Sequence, residues 1–142
     1  MHVNAAHKTA AGKQLTAAGT IQTYPCDGAT DVNRQLKNEM PNPTPGRDLS
    51  VNPIGTPIYI ATRFGDALTL ASASMVETLT NTPVVLRIPV SEVNDPNLIY
   101  HGHEGYVAPD APLKAGSQYT VTVTGSANGA AFSKTFSFKT GA

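Results

Sequence analysis

The sequence predicts an all-β fold in which two sheets pack face to face as a sandwich. Three observations support this. Runs of alternating apolar and polar residues recur along the chain, turn-forming residues separate them, and no long segment has the apolar periodicity of a helix. Alternation with a period of two is typical of a strand that has one face on a core. Because such a sheet needs a second apolar layer to cover it, we expect two facing sheets.

The clearest alternation follows the turn at residues 112–116 and runs through residues 119–124. Tyr119, Val121 and Val123 occupy alternate positions, and threonine occupies the positions between them. The apolar set is predicted to face the core and the threonines to face water. A tyrosine that enters a strand just after a turn is typical of immunoglobulin-type sandwiches, where its hydroxyl bonds to upstream backbone.

The other strands are predicted from apolar residues that share a face. In chain order these are Ile54, Thr56, Ile58 and Ile60; Leu68 and Leu70, continuing to Met75 and Val76; Val84, Leu86, Ile88 and Val90; Leu98 and Tyr100; Tyr106; and Phe132, Phe136 and Phe138. Asn128-Gly129 predicts a hairpin turn between the last two strands. The segments together predict an immunoglobulin-like or fibronectin-III-like antiparallel sandwich of about seven strands.

The length of 142 residues is sufficient for one domain with its own core. Residues 1–21 are rich in small and polar residues, so we predict a flexible or weakly helical leader there. Residues 22–142 are predicted to form the sandwich. Within it, three prolines in residues 41–45 predict an extended surface loop, because proline is excluded from helices and central strands.

The charge balance argues against two classes of partner. The formal net charge is zero and only 14% of the residues are charged, so no basic patch for nucleic acid or anionic lipid is indicated. No apolar run approaches the length of a membrane span. We therefore expect a monomer with no nucleic-acid partner and no membrane insertion, and a protein partner stays open.

Nothing in the chain indicates an enzyme. A Gly-x-Ser-x-Gly elbow and a glycine-rich phosphate loop are both absent. Cys26 is the only cysteine and has no neighbouring histidine or cation to activate it. An intrachain disulfide is excluded, which leaves a free thiol, an intermolecular partner or a small packed side chain.

His101, His103 and Glu104 form the one cluster that suggests metal chemistry. Imidazole and carboxylate groups are ligands that zinc and copper take, and on a strand the two histidines would share a face. Further ligands would have to come from elsewhere, with Asp95, Asp110, His2 and His7 as the candidates. The other interpretation is a polar loop between Gly102 and Gly105. No further cofactor is indicated.

Two other sets of side chains have both a binding and a structural interpretation. Loop aspartates either bind calcium or form turns, and no twelve-residue calcium loop is present; they are Asp27, Asp31, Asp48, Asp66, Asp95 and Asp110. Tyr59, Tyr100 and Tyr106 either form a sugar-stacking platform or pack their rings. Tyr59 is out of phase with Ile58 and Ile60, so it is predicted to be exposed on the opposite face. The absence of tryptophan weakens the carbohydrate interpretation.

Three motifs resemble bacterial immunoglobulin-like domains of secreted and cell-surface proteins. Residues 24–32, Tyr-Pro-Cys-Asp-Gly-Ala-Thr-Asp-Val, are similar to the opening Pro-x-Asp-Gly-Ala-Thr-Asp-Val-Pro of that family, with Asn33 where proline is usual. The turn and strand at residues 112–123 and the ending Phe-Ser-Phe-Lys-Thr at residues 136–140 also match. The resemblance covers residues 22–141.

The resemblance implies a secreted, periplasmic or cell-surface location and a non-enzymatic role in protein interaction, adhesion or spacing. Modules of this family sometimes lie beside a cysteine-rich-secretory-type domain. Two other roles stay open: a sandwich that binds carbohydrate or metal, and an accessory domain of a larger secreted enzyme.

Overall fold

The structure is a computed structural model that describes residues 17–142, and it confirms the all-β prediction. Its strands are β1 (Gln22–Tyr24), β2 (Ala29–Val32), β3 (Ile58–Ala61), β4 (Leu68–Glu77), β5 (Thr82–Pro83), β6 (Val90–Ser91), β7 (Glu104–Val107), β8 (Gln118–Ala127) and β9 (Ala130–Thr140). A four-stranded sheet has the order β1-β3-β7-β6, and a five-stranded sheet has the order β2-β9-β8-β4-β5. The two sheets form a sandwich-like arrangement.

Two details of the predicted fold are wrong. The described residues form nine strands rather than seven, because the opening strand divides into β1 and β2, which join different sheets. The segment at residues 82–91 is likewise divided, with β5 in the five-stranded sheet and β6 in the four-stranded sheet. The sandwich is also not purely antiparallel, since β2 pairs with β9 in parallel, with Ala29 opposite Phe138.

The main core lies between the sheets, as the alternation predicts. Ile58 and Ile60 of β3 belong to the same buried cluster as Val121 and Phe136 of the five-stranded sheet. Full burial of side chains of this size contributes roughly 1.5–3 kcal/mol each, before the entropy of ordering the chain is subtracted.

Tyr119 is part of this core and is only 2% exposed. Its ring stacks on that of Phe138 with a centroid separation of 5.9 Å. Its hydroxyl accepts a hydrogen bond of 2.9 Å from the backbone N–H of Lys114, five residues upstream. The tyrosine therefore fixes the turn before β8 in the way that the sequence predicts.

A bulge in β4 explains why its apolar residues change from even to odd positions. The pairing with β8 shifts between Leu70 and Ser72, and one extra residue in a strand reverses which side chains face the core. Leu68 and Leu70 face inward before the bulge, and Met75 does so after it. Opposite the bulge, a Cβ on Gly125 would collide with the carbonyl oxygen of Thr69, so a side chain is excluded there.

The hairpin predicted at Asn128-Gly129 is confirmed as a two-residue loop between β8 and β9. The φ angles of these residues are +52° and +82°, the left-handed region that this kind of turn requires. The Asn128 side chain accepts a hydrogen bond from the N–H of Ala67 (2.9 Å) and donates one to Asp66 (3.0 Å). The turn is thereby joined to the start of β4.

A second, smaller apolar cluster covers the outer face of the four-stranded sheet. We call it the outer cluster; its buried members are Leu49, Ile54, Tyr106 and Ala108, with Leu36, Val90 and Tyr100 packed against them. Ile54 pairs with Leu36 in an isolated bridge outside the strands. The prediction that Ile54 shares a face with Ile58 and Ile60 is therefore wrong, because the chain between them, at residues 55–57, interrupts the strand.

Two further apolar residues assigned to strand faces are instead exposed. Ile88 is 80% exposed because the chain crosses there from one sheet to the other, between Leu86 at the main core and Val90 at the outer cluster. Leu98 is 86% exposed and lies in a loop.

The described part of the predicted leader, residues 17–21, lies against the sandwich. Gly19 donates its N–H to Asp66 at 2.9 Å, and Ile21 packs on the main core. Residues 1–16 lie outside the described residues. Among residues 17–142, there is no helix with the length and apolar character needed to traverse a membrane.

Candidate functional site

Glu104, the first residue of β7, closes the turn that carries the two candidate histidines. Its Oε2 accepts the backbone N–H of His101 at 2.9 Å, and its own N–H donates to the carbonyl of His101 at 3.2 Å. Its Oε1 accepts a hydrogen bond from the Tyr59 hydroxyl on β3. Both carboxylate oxygens therefore have partners in the fold.

The two imidazoles lie on either side of this carboxylate. His101 Nδ1 is 3.9 Å from Oε2 of Glu104, and His103 Nε2 is 3.9 Å from Oε1. The His101 side chain is 63% exposed and that of His103 only 16%, since the His103 ring packs edge-on against Phe64. The ring centroids of the histidines are 6.2 Å apart.

The three predicted metal-site residues are therefore close together, but the Glu104 carboxylate between the histidines accepts hydrogen bonds from the fold itself. Within residues 17–142, no three histidine, cysteine, aspartate or glutamate side chains are placed to hold a metal ion. Asp95 and Asp110 form hydrogen bonds in other loops. His2 and His7 lie outside the described residues. The metal site at His101, His103 and Glu104 stays a prediction.

The candidate sugar platform is a covered row of rings. Tyr59 is 6% exposed, so the prediction that it is exposed is wrong. Tyr100 packs between its neighbours, with ring centroids 6.4 Å from Tyr59 and 5.3 Å from Tyr106. Burial raises the pKa of all three hydroxyl groups. In the sequence, Tyr59 is out of phase with the apolar residues of its strand, and this places it on the outer face of the sheet. The sequence does not show that loops cover this face.

Two of the loop aspartates, Asp95 and Asp110, form hydrogen bonds within the fold. Asp95 accepts the backbone N–H groups of Asn97, Ile99 and Tyr100 at 2.9, 2.6 and 2.9 Å. Burial opposes ionisation of Asp95, but these three donors outweigh it and lower the pKa of its carboxyl group. Asp110 is bound by two guanidinium groups instead, and hydrogen bonds from Arg47 and then Arg87 lower its pKa. Turn formation therefore explains Asp95, and pairing with Arg47 and Arg87 explains Asp110.

A concave feature that the sequence does not reveal lies beside β1. We call it the edge cleft; its volume is about 500 Å³, and its lining residues are Ile21, Gln22, Thr23, Tyr24, Cys26, Asp27, Tyr59, Ala61 and Lys134. Cys26 is a free, exposed thiol at this cleft. Lys134 comes from β9 in the opposite sheet, so both sheets contribute to the lining.

No family model matches this chain, and no curated protein sequence matches it either. The function proposed below therefore depends on the order of the strands and on the residues already described.

Proposed function

We propose that the chain is an immunoglobulin-like module of an exported bacterial protein, with a non-enzymatic role in protein interaction, adhesion or spacing. The order of the strands in the two sheets is the observation that carries the proposal. Immunoglobulin sandwiches place strands A, B, E and D in one sheet and G, F and C in the other. Here β1, β3, β7 and β6 take the order A-B-E-D, and β9, β8 and β4 take the order G-F-C.

Two further features agree with this assignment. The opening strand is shared between the sheets as β1 and β2, and β5 extends the second sheet beyond β4, in the place of the additional strand of variable-type domains. Tyr119 lies at the start of β8, the F position, and accepts its hydrogen bond from upstream backbone. A tyrosine in this position with such a hydrogen bond is typical of immunoglobulin sandwiches, which supports the proposal.

A binding or spacing role is supported by what the polar side chains do. An active site presents nucleophiles, acids and bases toward an open cavity. Glu104, Asp95 and Asp110 instead direct their carboxylates to partners within the fold. The exposed surface of residues 17–142 includes strand edges and loops, which are the usual contact regions of this kind of sandwich.

Location in the cell tests the exported role. Antibodies against the purified chain would be used on intact cells of the source organism, before and after a protease is added from outside. We expect the module in the medium, or on intact cells with its signal lost on protease treatment. A signal found only in the soluble cytoplasmic fraction and protected until the cells are lysed would contradict export. A cytoplasmic enzyme serves as the control for lysis.

A further inference from the structure

We propose that the edge cleft binds an extended peptide segment of another protein, which adds a strand to β1 and places an acidic side chain against Lys134. The proposal rests on the interaction role proposed above and specifies its surface and the chemistry of its partner. Strand addition at a sheet edge is a common mode of peptide recognition, in which backbone hydrogen bonds give affinity and side-chain pockets give specificity.

Within residues 17–142, no strand pairs with β1 on the side away from β3. Thr62, which follows β3, donates its N–H to His103 in the direction of β7, and alternate residues of a strand direct their backbone groups to opposite sides. Tyr59 and Ala61 therefore pair with Tyr24 and Gln22 of β1. By the same alternation the N–H and C=O groups of Ile21 and Thr23 point the other way, where the described residues supply no strand.

The edge cleft extends around both faces of this edge. Ile21, which packs on the main core, lines the inner side. Tyr24 and Tyr59, opposite each other in the register, line the outer side. A cavity of about 500 Å³ is within the range of ligand sites. Because successive side chains of a strand point to opposite faces, an added strand would fill both sides of the cleft.

Lys134 supplies the charge that selects the peptide. Lys134 lies on the same face of β9 as Phe132, Phe136 and Phe138, which is the face that points between the sheets. Its side chain is half-buried. No carboxylate of residues 17–142 lies within ion-pair distance of its ammonium group. Asp27, also in the cleft, accepts the N–H of Ser137. A partly desolvated cation favours an anionic group brought by the occupant.

The opposite edges of the two sheets are less suited to strand addition. Pro83 is half of β5, and Pro89 directly precedes β6. Proline has no N–H to donate, and proteins use it to block pairing along exposed edges. None of the three residues of β1 is a proline, so every residue of β1 keeps its backbone N–H.

The probe is a blocked nine-residue peptide of alternating threonine and valine, with glutamate at the central position of the valine face. Its binding is measured by calorimetry, and in parallel by the rate at which Cys26 reacts with an aromatic disulfide reagent. We expect the peptide to bind and to slow the reaction of Cys26. We expect the glutamine version of the peptide to bind roughly 5- to 10-fold more weakly, through loss of the ion pair.

Variants of Lys134 test the role of its charge. Lys134→Gln should reduce the preference for the glutamate peptide to less than about twofold, and Lys134→Glu should prefer a peptide with lysine at the centre. A thermal melt of each variant verifies that it is folded, and Lys139→Gln, on the opposite face of β9, is the matched control that should keep the parent's preference.

Three outcomes would overturn the proposal: no binding of the glutamate peptide, binding that does not depend on Lys134, or peptide-induced amide shifts at β5 and β6 in place of β1. Self-association that protects Cys26 without any peptide would overturn it in favour of a second copy of the chain. None of these outcomes changes where the protein is found in the cell. The exported role is therefore tested separately, by the localisation experiment.

Discussion

The two sheets of this sandwich are built in different ways. In the five-stranded sheet, β4, β8 and β9 have 10, 10 and 11 residues and pair along nearly their whole length. The longest strands of the four-stranded sheet have only 4 residues. The five-stranded sheet owes its order to long, nearly continuous pairings, of which β8–β9 is a local hairpin. The four-stranded sheet has only short pairings and depends on residues distant in the sequence that cover it on both sides.

The burial of β3 illustrates the difference. All four of its residues are buried, because the main core covers one face and loops, tyrosines and the outer cluster cover the other. A strand buried on both faces has a continuous apolar sequence instead of an alternating one. Alternation in the sequence therefore identifies a sheet with one solvent-exposed face, and it misses a sheet whose outer face is covered by loops.

The largest expected effect is in the main core, at Phe136. Its side chain is buried between the sheets, so Phe136→Ala removes apolar contacts and leaves a cavity. We expect a loss of about 3–5 kcal/mol in the free energy of unfolding, measured by urea denaturation. Ile88→Ala is the matched control: its side chain is exposed, and the change should stay within about 0.5 kcal/mol. Similar losses in both variants would show that the core is not where the structure places it.

The outer cluster is tested by Ile54→Ala. Ile54 is fully buried, but its neighbours are fewer and partly loop residues, so we expect the low end of the range for such truncations, about 2 kcal/mol. Because Tyr106 of β7 belongs to this cluster, the loss should appear in global unfolding. If instead the urea midpoint stays at the parent value and amide exchange accelerates only at residues 36–54, the outer cluster unfolds by itself and the two regions are independent.

The sequence predicts the features that depend on local patterns and misses those that depend on distant residues. The alternation at Tyr119, Val121 and Val123 and the Asn128-Gly129 turn are local signals, and both were confirmed. Ile54 was assigned to the wrong face, because its burial depends on Leu36 and Leu49, which no local pattern connects to it.

The site shows the same limit. The His101–Glu104 cluster is visible as a motif, but the partners of Glu104 are not, since Tyr59 lies 45 residues away in the chain. One feature of the sequence could have indicated the edge cleft: the charged Lys134 occupies an inward-facing position between Phe132 and Phe136.

The smallest expected effect is at Arg47, which fixes the proline-rich loop to the sandwich. Its guanidinium group donates five hydrogen bonds, two to Asn52, one to the carbonyl of Pro53 and two to Asp110, which also pairs with Arg87 at 3.1 Å. Lysine keeps the charge in Arg47→Lys but cannot reproduce this planar set of donors. We expect a loss of about 1 kcal/mol, because Arg87 still pairs with Asp110 and water can reach the released carbonyls.

The local consequence of Arg47→Lys is more informative than the global one. Limited proteolysis should cut the loop at residues 40–53 several-fold faster, while amide exchange in β8 and β9 stays at the parent rate, because the five-stranded sheet does not depend on this loop. Arg63→Lys is the matched control, since Arg63 is half-exposed and makes one ion pair, 3.8 Å from Asp66. Faster exchange in β8 and β9 of the Arg47→Lys variant would mean that the loop stabilises both sheets. The two sheets would then differ in their sequence patterns but not in their dependence on the loop for stability.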